Sequence, residues 1–235
     1  GEPFGVFGAA AFLFFAFAGY ARVATLGGEV AQPAKSIPFA IALSLSLVFV
    51  IYLVLALTTG RVLGEDLTQT LTPIADLAAI SLPWLPSQVV GTVASIAALG
   101  SLLALLAGMG RTAATMAEDR EVPMFLGLRN RLGAPWVAEL AIAGIAILLV
   151  TVFEVGSNIG ISSFAVLFYY SIANLAALKQ PKSESNRPKV LNLLGFGLCI
   201  ALALSVPVES LVTGIAGLAV LWSFRYLLAR FHQSR

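Results

Sequence analysis

Seven apolar runs recur along this chain, each close to the ~20 residues that a helix needs to cross the hydrocarbon core of a bilayer. They lie at about 5–31, 39–62, 88–116, 136–153, 158–178, 190–206 and 209–229. Hydrocarbon offers no partner to backbone N–H and C=O groups, so a spanning segment must satisfy them internally. Continuous runs of this length do so as helices, and the expected fold class is an all-α polytopic membrane protein. With 59% hydrophobic and only 11% charged residues and a mean hydropathy of +0.93, the chain is unlike a soluble domain.

The net charge of +2 is small, but its distribution is uneven. Lys35, then Arg111, Arg120, Arg129 and Arg131, then Lys179, Lys182, Arg187 and Lys189, and finally Arg225, Arg230 and Arg235 all fall on one side of a seven-span arrangement. The other side carries Arg61 beside Glu65, Asp66, Asp76, Glu154 and Glu209. Basic loops stay in the cytoplasm. The expected topology is therefore a multi-pass plasma-membrane protein with the N-terminus of this chain outside and its C-terminus inside. The first residue is Gly1 rather than Met, which is expected of a processed chain or a piece of a longer one. Between the second and third runs, Thr72-Pro73 followed by Ile74, Leu77, Ala78 and Ile80 predicts a short interfacial helix near 72–80, with Pro at its start. A second connector, Met124–Leu132, is expected to be partly helical.

The first run is not uniform. From Phe14 to Pro38 it reads FFAFAGYARVATLGGEVAQPAKSIP, an apolar helix interrupted at Gly19-Tyr20-Ala21-Arg22. A break inside the bilayer exposes backbone groups and survives only where it lines a cavity or is packed in protein. Half-helix ends offer carbonyls to cations and N–H groups to anions, so a break of this kind points to a binding site. Gly19 permits close backbone approach. Arg22 is a charge at membrane depth, and two roles are open to it: pairing with Glu29, seven residues on and so on the same helix face, or a gating or substrate-carboxylate role.

Enzymatic chemistry has no support in the residues. The single His is His232, near the C-terminus, and the single Cys, Cys199, sits in an apolar run. No disulfide framework, metal-ligand cluster, nucleotide-binding glycine loop or catalytic triad can be assembled, and no cofactor or nucleic-acid partner is expected. In the third run Gly91, Ser95, Gly100, Ser101, Gly108 and Gly110 form a small-residue record suited to close helix packing. In the fifth, Asn158, Ser162, Ser163 and Asn174 are polar, with capping and interhelical hydrogen bonds as their ordinary roles.

The segment Phe14–Pro38 resembles the sixth transmembrane helix of amino acid–polyamine–organocation (APC) permeases: an aromatic pair, a small residue, an aromatic, a Gly, then Glu-Val, a Pro-containing turn and Ile-Pro. Gly110–Leu126, GRTAATMAEDREVPMFL, is similar to the end of the eighth helix, and Gly133-Ala134-Pro135-Trp136 to the start of the ninth. The three occur in order over essentially the whole chain. The resemblance implies helices six to twelve. Residues 1–178 then correspond to the second five-helix inverted repeat, its first span broken near 18–22. Residues 179–235 correspond to the last two transmembrane helices and a cytoplasmic tail. The amino-terminal five-helix repeat is the implied partner, beside the lipid bilayer and an amino-acid substrate.

By the same resemblance, Phe15, Ala16, Phe17, Ala18, Gly19 and Tyr20 line the substrate, with carbonyls around Phe15 and Ala18 holding its ammonium group and Phe15 closing over it. Ser101, Ser162 and Ser163 are candidates for an ion pathway or gate, with Arg22 and Glu29. Ala21 stands where many relatives carry an acid, and Arg22 would repel a cationic side chain. The expected function is secondary active transport of amino acids or related amines by alternating access, with this chain supplying half of the site. The rival reading is a non-transporting membrane subunit, a sensor or a degenerate half-transporter.

Overall fold

The computed structural model describes the backbone of residues 3–19, 30–181 and 188–233, and the side chains of these except 3, 4 and 227–233. Its helices are α1 Pro3–Phe17, α2 Pro33–Leu63, α3 Pro73–Ser81, α4 Ser87–Glu118, α5 Trp136–Val152, α6 Val155–Leu178, α7 Lys189–Ala203 and α8 Val208–Gln233. Short 3-10 helices cover Gly64–Thr68 and Met124–Gly127. The helices α2, α4, α6 and α8 are long and apolar enough to cross a bilayer, and α1, α5 and α7 are shorter apolar helices. The chain is an all-α polytopic membrane protein; six of the expected runs each overlap one of these helices, and the first, 5–31, overlaps α1 as far as Phe17, with 20–29 outside the described residues.

The chain divides into two compact units, Gly1–Gly19 with Gly110–Arg235, and Tyr20–Met109. In the second, α2 packs on the 3-10 turn and on α3. The structure starts α2 at Pro33, six residues before the position expected from hydropathy. Pro33 occupies the first turn, where its missing N–H has no partner to lose. Gln32 turns the chain into the helix with a left-handed φ of 50° and ψ of 56°. Its carbonyl accepts from the N–H groups of Lys35 and Ser36 at 3.0 Å, and the Ser36 hydroxyl donates to the Ala31 carbonyl at 2.9 Å. The expected turn around Lys35 is therefore helical. At the other end Gly64, with φ 52°, takes a conformation that glycine adopts freely. The interfacial helix appears as α3, with Thr72 as N-cap and Pro73 as its first residue. The Thr70 hydroxyl donates to the Asp76 carboxylate and accepts from Thr72 N–H at 3.0 Å, which ties the preceding loop to its first turn.

In the first unit α6 is the central packing element. It packs most extensively on α7, then on α8 and α1. Its buried residues, Gly160, Ser163, Phe164, Leu167, Tyr170 and Ser171, fall at i, i+3, i+4, i+7, i+10 and i+11, which confines them to one stripe of the helix. Phe164 and Leu167 join Ala11, Ala203 and Val206 in the core, with Phe14, Cys199, Leu202, Leu211 and Leu218 against it. Cys199 is thus a half-buried packing residue. Small residues set the helix spacing. A Cβ at Gly160 would meet Ser210 Cβ at 2.8 Å, and one at Gly214 would meet Phe164 Cε1 at 2.9 Å. A Cβ at Gly195 would meet Asn174 Cγ at 3.0 Å.

The motifs between α4 and α5 acquire local reasons. Arg120 ends α4 with φ 61°; its N–H donates to the Ala117 carbonyl at 3.1 Å and that of Glu121 to Met116 at 2.8 Å, a Schellman closure. Buried Ala114 and Ala117 leave room for the connector, since a Cβ at Gly127 would lie 3.4 Å from Ala117 Cβ. Asn130 Oδ1 accepts from the N–H groups of Leu132 and Ala134 at 2.9 Å, Gly133 turns with φ 81°, and Pro135 caps α5.

Candidate functional site

The α-helical part of the first span stops at Phe17, and Ala18 and Gly19 continue as a 3-10 turn. The interruption expected at 18–22 lies, from 20 onward, outside the described residues. Tyr20, Arg22 and Glu29 lie outside the described residues, so the expected Arg22–Glu29 pairing does too. Five candidates, Phe15, Ala16, Phe17, Ala18 and Gly19, stand together at this helix end. Phe15 is 42% exposed, Ala16 and Gly19 are exposed, and Phe17 and Ala18 are half-buried. A Cβ built on Gly19 meets nothing within 4 Å among the described residues, so they leave space open beside the backbone there.

What holds this end is α6. The Tyr170 hydroxyl donates to the Ala18 carbonyl at 3.2 Å. The Phe14 and Tyr170 rings meet edge-on, with centroids 5.7 Å apart and planes at 82°. Edge-to-face rings of this kind attract beyond the area they bury. The Ala18 carbonyl is thus an acceptor in use, beyond the last α-helical residue. Tyr170 itself carries no sequence signal. It sits in an apolar run beside Tyr169, and only the helix stripe it shares with Ser163, seven residues earlier, could have singled it out.

Ser163 is fully buried, and its hydroxyl has no hydrogen-bond partner among the described residues. Ser162 is half-buried on the neighbouring face. Leaving a buried hydroxyl unpaired costs about 1–3 kcal/mol, so such groups are uncommon away from functional positions. The other polar residues of α6 have structural duties. Asn158 Nδ2 donates to the Phe153 carbonyl at 2.9 Å, capping the α5–α6 turn. Asn174 Nδ2 donates to the Tyr170 carbonyl at 2.9 Å, and its amide packs on Gly195 of α7. Ser101 belongs to the other unit, on α4, and is exposed there.

The sequence profile of the amino acid permease family matches residues 3–227. The chain belongs to the amino acid permease family. An uncharacterized transporter of Mycobacterium tuberculosis (strain ATCC 25618 / H37Rv) is 41% identical over 219 residues, covering 92% of this chain and 50% of that protein. Cationic amino acid transporter 7, chloroplastic, of Arabidopsis thaliana is 28% identical over 179 residues, covering 75% and 31%. The branched-chain amino acid permease of Bacillus subtilis (strain 168) is 26% identical over 212 residues, covering 85% and 43%. The chain thus spans half or less of the length of these relatives. No solved structure matches it. Membership of a permease family, rather than an enzyme family, accords with the absence of catalytic motifs in the sequence.

Proposed function

We propose that this chain is the carboxy-terminal half of a secondary transporter for α-amino acids that works by alternating access. The observation that carries the reading is the end of α1. An apolar helix stops there as an α-helix at Phe17, beside open space at Gly19 and a carbonyl at Ala18 that accepts from a side chain of another helix. An ammonium group is a stronger donor than a phenol and suits such a carbonyl. Phe15, Ala16 and Phe17 offer an apolar wall to the substrate's side chain. With Ala21 and Arg22 following, the substrate class is amino acids with neutral side chains. The named relatives support amino acids as the general class, and their length supports a preceding five-helix repeat that supplies the facing half of the site.

In this reading α1 starts outside and α8 ends in the plasma-membrane cytoplasm, with Lys and Arg holding the inner loops. The gradient is one of protons or counter-substrate, with Ser101, Ser162, Ser163, Arg22 and Glu29 along the gate or ion path. The test is uptake of radiolabelled leucine into proteoliposomes by the protein at full length, with arginine and putrescine as competitors. Concentrative leucine uptake that arginine and putrescine fail to inhibit is expected. Inhibition by arginine overturns the neutral class. Absence of uptake of any amino acid overturns transport and favours a subunit or sensor.

A further inference from the structure

The geometry points to Tyr170 as a positioning residue, an internal donor that clasps the end of α1 to α6 and holds the Ala18 carbonyl until a substrate ammonium takes it. The clasp rests on the contact itself; the exchange with substrate rests on the reading of the α1 end as the site. Three observations meet at this residue. Its hydroxyl donates to Ala18 O at 3.2 Å, across 152 residues of sequence. Its ring is buried against the edge of Phe14, which fixes where the hydroxyl can reach. The acceptor belongs to a residue beyond the last α-helical position, next to a Gly19 with open space beside it.

The energetics suit a clasp that can be opened. A neutral hydrogen bond contributes little net stability, because the unfolded or open form finds other partners. A charge-assisted bond to the same carbonyl is roughly twice as strong. An ammonium group can therefore displace the phenol, whereas a neutral hydroxyl of similar strength cannot. The consequence is selectivity for the ammonium itself, set by a residue that need not touch the substrate's side chain. The same clasp orders the empty site, since it ties the last turn of α1 to α6 beside the Phe14–Tyr170 ring contact.

The experiment uses the protein at full length, purified in detergent, with Cys199→Ala removing the single native thiol of this chain and Gly19→Cys placing a reporter at the end of α1. Maleimide labelling of the reporter is followed with and without Tyr170→Phe, which keeps the ring and the Phe14 contact. Loss of one neutral hydrogen bond is expected to raise the labelling rate about fivefold. Tyr169→Phe, at an exposed neighbouring ring, is expected to leave it unchanged. Replacing Tyr170 by 4-fluorophenylalanine, which also removes the donor and adds little bulk, is expected to act as Tyr170→Phe does and covers the case in which that variant fails to fold. Equal rates in the folded donor-less variant and the parent overturn the clasp. In a second arm leucine protects the reporter at about fivefold lower concentration in Tyr170→Phe than in the parent, and the α-keto acid analogue, which has no donor for the Ala18 carbonyl, shows no such shift. Faster labelling with no protection by any amino acid leaves the clasp standing and overturns the substrate reading. Leucine uptake with no change in labelling does the reverse.

Discussion

Helices α2 and α6 are both long and apolar, yet they behave oppositely. No residue of the most apolar stretch of α2 is buried within the structure, whereas α6 carries six buried residues along one stripe. The difference does not lie in hydropathy, since α2 is the more apolar of the two. It lies in where the small residues fall. Gly160, Ser163 and Ser171 recur on a single face of α6, and Gly195, Gly214 and Ser210 meet that helix from α7 and α8. In α2 the hydroxyls of Thr58 and Thr59 fold back onto the Val54 and Leu55 carbonyls, at 2.7 and 2.6 Å. Lipid tails are as apolar as leucine, so burial between helices is driven by close packing rather than by escape from water. Apolarity alone therefore says that a helix is in the membrane, and small-residue periodicity says which face is packed.

The sharpest way to break this contrast is a matched pair of truncations. Leu167→Ala, at a fully buried position, is expected to cost about 2–5 kcal/mol. Leu47→Ala, at a position 59% exposed, is expected to stay within about 0.5 kcal/mol. Thermal unfolding in detergent reads both, and comparable losses would erase the distinction between the helices. Overpacking comes next. Gly214→Val forces Phe164 from its seat and is expected to cost about 1–3 kcal/mol, while Gly100→Val, where a Cβ meets nothing within 4 Å, should leave the melting temperature nearly unchanged.

A smaller effect, of opposite sign, sharpens the role of the α6 stripe. Ser163→Ala deletes a buried hydroxyl that lacks a partner and is expected to raise stability by about 1 kcal/mol. If transport falls in the same variant, the hydroxyl serves the substrate or ion path; a lowered melting temperature would mean that it is satisfied after all. The smallest effect concerns the exposed end of the unit. Arg225 forks onto the Glu121 carboxylate at 2.6 and 2.8 Å, joining the α4 exit to α8. A double-mutant cycle on this pair is expected to give about 0.2–1 kcal/mol, fading in high salt. A coupling above that range would make this surface contact comparable to the buried seam.

Much of the architecture was legible beforehand because it rests on one-dimensional signals. Run length marked seven helices, Thr72-Pro73 marked α3, and Gly133-Ala134-Pro135-Trp136 marked the start of α5. The start of α2 was missed because Pro33 and Lys35 read as a polar turn, whereas a first helical turn tolerates both. At the candidate site, Phe15 to Gly19 were reachable through the interruption and the family pattern. Tyr170 was not, since its meaning depends on an acceptor 152 residues away. Ser162 and Ser163 read alike in the sequence, and only their angular positions on α6 made one buried and the other half-buried.

The amino-acid sequence alone determined that the chain is helical and membrane-embedded, because hydrocarbon leaves an apolar run of this length few other ways to satisfy its backbone. It also determined the family to which the motifs belong. Tertiary structure decided which of several equivalent hydroxyls and rings meet. The Tyr170–Ala18 contact, the burial of Ser163 and the glycine seats on α7 and α8 follow from helix rotation and spacing, which close packing sets and hydropathy does not encode.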